Sequence, residues 1–226
     1  MSIKNREENV KFSRTFRNIR DLYDLSNKSV CDVGCGFGEY LRFFGNDSVG
    51  VTTTTEEVEY GKKNNLKIVF GNAEKISEVF VNGEKFKAIW ANNLFEHLLS
   101  PHGFLMNIKK VSDEKTIAII GVPVLPKIVS LIYLAKFRGS LASNHINFFT
   151  KDTLRLTVER GGLDVITVRP FIFKNKYLDL LIRPFSPHLY VVAKNNNNFA
   201  YSTKKLKEWV SDDYYSSLLD ITRQNE

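Results

Sequence analysis

Short apolar runs alternate with amphipathic stretches along most of the chain. The runs predict buried strands, and the stretches between them have the spacing of helices with one apolar face. The predicted strands are residues 29–33, 48–52, 66–70, 86–91 and 116–122, and the predicted helices are 10–25, 39–44, 54–64, 74–80 and 104–111. Strands and helices that alternate in this way indicate an α/β fold with a parallel sheet and right-handed crossovers.

The pattern loosens after Pro123. An apolar helix is expected over residues 126–137, and a second helix over 150–160 ends at the pair Gly161-Gly162. Two final strands are expected, at residues 163–173 and 188–194. The run Asn195–Asn198 is typical of a linker, and residues 199–226 have helical spacing.

The composition is that of a globular protein, with 43% hydrophobic and 25% charged residues in a chain of 226. No apolar run reaches the length of about 18 residues that predicts a membrane-spanning helix. Residues 1–20 mix charged and amide side chains without the apolar segment of a secretory signal. Cys31 and Cys35 are too close for a structural disulfide across a loop and have no partners for a zinc site, so we expect a reducing, cytoplasmic setting.

The formal charge is +7 and the isoelectric point is about 9.3. A basic balance is compatible with nucleic acid, an anionic membrane surface or anionic substrates. The cations lie in a segment at residues 4–20 and diffusely over 127–183, and neither segment is an arginine-rich block. A solvated surface is the favoured interpretation.

The candidate chemistry lies at the end of the first strand. Gly34, Gly36 and Gly38 let the backbone turn out of the strand and approach a ligand closely. The dinucleotide fingerprint is G-x-G-x-x-G, whereas the spacing here is G-x-G-x-G with Asp32 two residues before the first glycine. A carboxylate at that place suits an ammonium group, which favours S-adenosylmethionine over a pyrophosphate; a tight structural turn is the alternative.

Further segments follow this loop in an order that resembles the class I S-adenosylmethionine-dependent methyltransferases of the small-molecule type. The resemblance covers about residues 28–194. The matching segments are Val-Cys-Asp-Val-Gly-Cys-Gly-Phe-Gly at 30–38, Val-Gly-Val-Thr-Thr-Thr-Thr-Glu-Glu at 49–57, Gly-Asn-Ala-Glu at 71–74, Phe-Lys-Ala-Ile-Trp-Ala-Asn-Asn-Leu-Phe-Glu-His at 86–97, and His-Ile-Asn-Phe-Phe-Thr at 145–150.

The resemblance implies a Rossmann-like, doubly wound sheet of seven strands. The sheet would be mostly parallel with an antiparallel last strand and helices on both faces. It also implies a helical cap at residues 1–28, a methyltransferase domain at 29–194 with a lid-like insertion at 123–150, and a linker and helical tail at 195–226.

The resemblance also assigns roles to individual residues. Asp32 and the backbone of Gly34, Cys35, Gly36 and Gly38 would hold the methionine end of the cofactor. Thr52, followed by Thr53, stands where the family prefers an acid that binds the ribose hydroxyls. Asn72 and Ala73 would recognise the adenine edge, and Asn92 would lie below the transferring methyl group.

Two histidines are candidates for the general base. His97 ends the segment after the fourth strand, and histidine is the side chain type best suited to proton transfer near neutrality, although packing or helix capping explains this residue equally well. His145 is the second candidate, with a structural role as its alternative, and Glu96 is expected to fix local structure. Some ubiquinone-pathway O-methyltransferases bind a metal through Glu-x-x-Glu-His at this segment; Asn93 stands in place of the first Glu, so no metal is expected.

The acceptor is the least determined part of the prediction. Residues 92–95 lack the prolines of adenine methyltransferases of nucleic acids, and no cysteine stands where cytosine C5 chemistry needs one, so nucleic acid is disfavoured. A small-molecule or lipid-like acceptor is expected. A hydrophobic lid over it could be formed by residues 122–137, Phe148, Phe149 and residues 177–185. The alternative is that these residues simply cover the sheet edge. Peripheral membrane contact and a monomer or homodimer fit this picture. Two alternative functions remain. The charge suggests a nucleic-acid or protein methyltransferase, and Thr52, Asn72 and Lys87 suggest a non-catalytic cofactor-binding scaffold.

Overall fold

The computed structural model describes residues 2–125 and 144–209. The expected helix at 126–137, most of the lid-like insertion and the tail from residue 210 lie outside these ranges. The strands are β1 Val30–Val33, β2 Val49–Thr52, β3 Ile68–Phe70, β4 Phe86–Asn92, β5 Ser112–Pro123, β6 Leu163–Arg169 and β7 His188–Asn195. The helices are α1 Ile3–Phe12, α2 Arg14–Leu22, α3 Thr55–Lys63, α4 Ile76–Val79, α5 Pro101–Lys110, α6 Lys151–Arg160, α7 Lys176–Ile182 and α8 Thr203–Trp209.

The strands form one sheet in the order β3-β2-β1-β4-β5-β7-β6. Strands β1 to β5 are parallel, and β7 runs antiparallel to both of its neighbours. In the centre, Cys31 of β1 lies opposite Val49 of β2 on one side and Ile89 of β4 on the other. The topology confirms the predicted seven-stranded Rossmann-like sheet. It also brings the carboxyl ends of β1, β2, β4, β5 and β6 to one edge, where open α/β sheets bind ligands.

Helices cover both faces of the sheet. On one face α2 presents Phe16 and Ile19 toward the buried indole of Trp90, and Phe16 meets that indole edge-on with ring centroids 5.6 Å apart. Aromatic pairs in this geometry add about 0.5–1.5 kcal/mol to the stabilisation from area burial. On the other face the buried residues of α5 and α6, such as Leu105 and Leu154, pack over the same strands.

The helix expected at residues 39–44 is wrong. Only a 3₁₀ turn forms, at Leu41–Phe43. Directly after this turn the chain lies against the segment before β1, because the Gly45 N–H donates to the carbonyls of Leu25 and Lys28 at 3.2 and 3.1 Å. Too few residues remain between the glycine loop and Gly45 for a regular helix.

The strand expected at residues 163–173 is shorter than predicted and ends at Arg169. Pro170 has no N–H to continue the ladder, and Phe171 has a φ of 55°, which leaves the extended region. The side chain of Arg169 then pairs with Asp179 of α7 at 3.0 Å, with both groups buried.

The segment after β7 lies against the domain. Asn196 donates through its side chain to Asp164 and through its backbone to Gly162. The Tyr201 hydroxyl lies 2.7 Å from Nε2 of His102 on α5. Across residues 2–125 and 144–209, no helix combines the length and apolar character needed to cross a membrane. Cys31 and Cys35 are both buried and form no disulfide.

Candidate active site

The glycine loop leaves β1 in a conformation that only glycine adopts easily. Gly34, Gly36 and Gly38 have φ values of 75°, 57° and 80°. The loop is anchored to β2, because the N–H groups of Gly34 and Cys35 both donate to the carbonyl of Val51. The backbone of the loop therefore faces the sheet edge, while the Cys35 side chain points into the core and is buried.

Asp32, the residue that the sequence predicted to hold an ammonium group, is buried under this loop. Its side chain is 2% exposed, and its Oδ2 atom has no hydrogen-bond partner within the described ranges. Burial raises the pKa of Asp32 well above its usual range, and the negative charge of Glu39 raises it further. A buried carboxylate oxygen without a partner is costly, so this arrangement calls for a cationic ligand.

Glu39 was not recognised from the sequence as part of the site. It is buried, and Arg6 of α1 lies 3.5 Å from its carboxylate. Glu7, the next residue of α1, forms a second ion pair with Arg42 at 2.7 Å. These two pairs hold the N-terminal helix against the glycine loop.

The end of β2 has a carboxylate, although the sequence there reads Thr52. The Thr52 hydroxyl donates to the side chain of Glu57, in the first turn of α3, and accepts from the backbone N–H of Thr54 at 3.1 Å. Thr52 is therefore occupied, and Thr53 next to it is exposed. Glu57 is the group at this strand end that can accept hydrogen bonds from a diol, and its place in the acidic first turn of α3 was the signal that could have identified it.

The turn expected to bind adenine lies after β3. Asn72 is exposed, and its Oδ1 atom accepts from the N–H of Glu74 at 2.8 Å, which leaves a second lone pair on that oxygen. Ala73 is buried. The Glu74 side chain accepts from the N–H of Leu99 at 2.7 Å and so ties this turn to the segment that follows β4.

Asn92 ends β4 next to the loop. Its Nδ2 donates to the hydroxyl of Tyr40 at 3.1 Å, and its Oδ1 has no partner among residues 2–125 and 144–209. Burial and the carboxylates of Asp32 and Glu39 raise the pKa of Tyr40 to about 12, so its hydroxyl stays protonated. A second polar atom that lacks a partner thus lies at the same sheet edge as Asp32.

The two candidate bases lie side by side. The rings of His97 and His145 meet edge-on with centroids 4.8 Å apart. The backbone carbonyl of Glu96 holds them together, since it accepts from the N–H groups of Ile146 and Asn147 at 3.0 Å each. Leu94, three residues before His97, lies against the glycine loop, where a Cβ on Gly34 would come within 3.0 Å of its side chain. The segment that includes His97 therefore leaves β4 in contact with the glycine loop.

The residues present fit S-adenosylmethionine. The unpartnered oxygen of Asp32 suits the ammonium of the methionine end, and the open loop backbone suits its carboxylate. The acid of Glu57 and the amide of Asn72 stand where a ribose and an adenine would follow along the sheet edge.

Comparison with known proteins agrees with this fit. Residues 6–168 match a family described as a methyltransferase domain. No curated protein matches the sequence significantly. A methyltransferase from Archaeoglobus fulgidus that depends on S-adenosylmethionine has a similar structure, with a TM-score of 0.59 at 18% identity over 84% of this chain and 97% of that one.

Two further structures have the same fold. A TehB-like methyltransferase from Corynebacterium glutamicum gives a TM-score of 0.57 at 19% identity, over 85% of this chain and 95% of that one. The plantazolicin methyltransferase BamL, solved with a triazolic desmethylPZN analogue and S-adenosylhomocysteine, gives a TM-score of 0.57 at 17% identity, over 84% of this chain and 88% of that one. The match over most of the chain, the strand order and the acidic cradle under the glycine loop place this protein among the class I S-adenosylmethionine-dependent methyltransferases, as an enzyme that takes its methyl group from S-adenosylmethionine.

Proposed function

We propose that the enzyme methylates a small-molecule or lipid-like acceptor by in-line displacement, with the acceptor seated beyond the carboxyl end of β4. The observation that supports this most is the contact between His97 and His145, on the segment that follows β4 and touches the glycine loop through Leu94. S-adenosylmethionine supplies an activated methyl group on its sulfonium. The chain has to orient the acceptor, exclude water and handle the acceptor's proton.

His97 is suited to that last task. Its Nδ1 lies 3.0 Å from the carbonyl of Asn144, and because a carbonyl only accepts, Nδ1 has the proton and Nε2 has the lone pair in the neutral ring. The side chain is 33% exposed, so an acceptor can reach it. His145 lies against the same ring, and we propose that the two imidazoles activate the acceptor together.

The surroundings of the pair favour an apolar acceptor. Phe148 is 50% exposed, and Ile146 and Leu99, which are close to His145 and His97 in sequence, are also exposed. Phe149, which we expected in a lid, instead packs in the core against Phe95 with ring centroids 5.2 Å apart. The fold leaves the apolar side chains of Phe148, Ile146 and Leu99 exposed to water. An apolar acceptor bound next to the histidines would cover them.

A basic cleft at the same edge supports an acceptor with an anionic group. It has a volume of about 380 Å³ and lies between α2 and the residues that follow β6, and it includes Arg14, Arg17 and Lys174. Lys174 is partly neutralised by Asp21 at 3.1 Å. Because β6 runs in the same direction as β5, the residues that follow β6 and line the cleft come after the same end of the sheet as the glycine loop. A phosphorylated or membrane-embedded acceptor fits it.

The experiment is to supply methyl-labelled S-adenosylmethionine and a cell extract, and then to separate organic-soluble, small aqueous, nucleic-acid and protein fractions. Label is expected in the organic-soluble or small-molecule fraction and should fall at least about 100-fold with His97→Ala, the lower end of the contribution typical of general acid–base catalysis. His102→Asn, which changes a histidine on α5, is the matched control. Label confined to nucleic acid or protein would contradict the proposal, and full turnover by His97→Ala would remove that residue from it.

A further inference from the structure

We propose that Glu96, His97 and His145 form a binding site for a divalent transition-metal ion. The proposal rests on the proposed function for its place at the acceptor side, and it goes beyond that function in naming how the histidine pair acts. The ligand atoms of the three side chains all lie within 4.8 Å of one another. Two imidazoles and one carboxylate are a ligand set found in both zinc and non-haem iron sites.

The buried carboxylate of Glu96 is the strongest reason to expect an ion. Its side chain is 1% exposed, yet Oε2 has no hydrogen-bond partner within residues 2–125 and 144–209. A buried carboxylate with an unpartnered oxygen, and with a ligand atom within 4.8 Å of ligand atoms of two imidazoles, lacks a cation that a bound ion would supply.

The orientation of His97 supports the same conclusion. Its Nδ1–H donates to the backbone carbonyl of Asn144, and its Nε2 lies 3.9 Å from Oε1 of Glu96. Histidine ligands commonly donate their second ring N–H to a carbonyl or carboxylate, which fixes the tautomer and directs the other nitrogen at the metal. The ring of His97 is held in this way before any ion arrives.

The distances are compatible with binding after a small contraction. Three atoms within 4.8 Å of one another have a common point no more than about 2.8 Å from each, and Zn–N and Zn–O bonds are about 2.0–2.2 Å. Each donor therefore moves by less than about 1 Å. His145 and Glu96 belong to segments that are already hydrogen-bonded through the carbonyl of Glu96, so the movement is local.

The sequence-based expectation of no metal considered one segment only. Asn93 replaces the first acid of the Glu-x-x-Glu-His pattern, and in the structure its side chain lies 2.8 Å from Nε2 of His188 instead. The third ligand proposed here, His145, comes from a distant part of the sequence.

An ion at this site would favour a hydroxyl acceptor. Coordination lowers the pKa of a bound hydroxyl. The hydroxyl proton passes to water, the oxygen forms its bond to the methyl carbon, and the carbon–sulfur bond of the sulfonium breaks to release S-adenosylhomocysteine. In the loaded enzyme the imidazoles coordinate the ion, and the ion acidifies the acceptor.

The experiment is calorimetric titration of the full, metal-stripped chain with Zn²⁺, Mn²⁺ and Mg²⁺, together with the Co²⁺ absorption spectrum. We expect one Zn²⁺ per chain, Zn²⁺ bound more tightly than Mg²⁺, and an affinity lowered at least about 10-fold by His145→Ala and by Glu96→Gln. His102→Asn should bind Zn²⁺ like the wild type. His145 is partly exposed, so its replacement tests the site even where Glu96→Gln does not fold, as checked by circular dichroism.

Two results would overturn the metal site: no Zn²⁺ binding below about 100 μM, or the same affinity and Co²⁺ spectrum in wild type and His145→Ala. Titration with S-adenosylmethionine in the presence of a chelator separates the two proposals. If the chain binds S-adenosylmethionine but not Zn²⁺, only the metal site is contradicted. If no label from S-adenosylmethionine reaches the organic-soluble and small-molecule fractions, the proposed function is contradicted.

Discussion

Replacing Asp32 by Asn should weaken the cofactor complex while it stabilises the free protein. In the free protein Asp32 is a buried carboxylate with an unpartnered oxygen and a second carboxylate, Glu39, nearby. The substitution keeps the shape of the side chain and removes its charge. It therefore removes both the desolvation cost in the free protein and the partner of the cofactor's ammonium.

The two effects have opposite signs and can be given magnitudes. Breaking one partner of a buried charged hydrogen bond costs about 2–4 kcal/mol, which is about 30- to 1000-fold in the dissociation constant for S-adenosylmethionine. Removing a buried unpaired charge stabilises the free fold by about 1–3 kcal/mol, or about 2–10 °C in Tm for a chain of this size. Calorimetric titration and thermal unfolding measure the two quantities on the same samples.

The pH dependence gives the same test a second readout. Burial raises the pKa of Asp32 in the folded protein. At pH values between the ordinary pKa of Asp and this raised pKa, the folded protein without cofactor therefore binds more protons than the unfolded chain, and its stability should fall as the pH rises. Cofactor affinity should rise over the same pH range, because the ionised carboxylate attracts the ammonium. Both trends should be weaker in Asp32→Asn.

Asp164→Asn is the matched control, since Asp164 is exposed on β6 and accepts a hydrogen bond from Asn196. It should change neither the affinity nor the Tm appreciably. If Asp32→Asn bound S-adenosylmethionine within about 3-fold of wild type, the ammonium would not lie at Asp32. If it bound weakly and also unfolded earlier than wild type, Asp32 would be a structural residue.

Three other substitutions test separate parts of the structure. Glu57→Gln should lower cofactor affinity about 5- to 20-fold by calorimetry, because an amide nitrogen would replace one of the carboxylate oxygens that are available to accept from a ribose diol. Glu59→Gln on the exposed side of the same helix should not lower the affinity, and equal affinities in the two variants would remove Glu57 from the site. Asp179→Asn should cost about 3–5 kcal/mol in urea unfolding because it leaves Arg169 buried without its counter-charge, and a loss below about 1 kcal/mol would contradict that. Burial lowers the pKa of His188 to about 4, below its unfolded value, so stability should fall as the pH drops from about 6.5 to about 4; His188→Gln should lack this part of the slope in thermal melts, and equal slopes would refute it.

The strands of the sheet centre could be predicted because they are apolar on both sides. The run predicted at residues 29–33 forms β1, and the run predicted at 86–91 forms β4, since helices cover both faces there. Strand β5 begins earlier than predicted, at Ser112, because residues 112–115 are polar and join the strand through the pairing of Ser112 with Phe86. Hydrophobic patterning does not reveal a segment of that kind.

Local spacing predicted the part of the site that is local in sequence. The glycine loop and Asp32 lie within a few residues of one another, and the chemistry of an acid before three glycines could be inferred from them. Glu57 was missed because its contact with Thr52 depends on the path of the chain into α3. The contact between His97 and His145 depends on how residues 144–147 return to the end of β4, and no local pattern encodes it.

The most direct test of the account is a crystal structure of the protein with S-adenosylhomocysteine, which keeps the ammonium and the adenosyl group of the methyl donor. We expect the ammonium within hydrogen-bond distance of Oδ2 of Asp32, the carboxyl end of the ligand on the backbone of the glycine loop, and the ribose hydroxyls on Glu57. A ligand bound away from this sheet edge, or one whose ammonium contacts other groups while Oδ2 of Asp32 stays unpartnered, would contradict it.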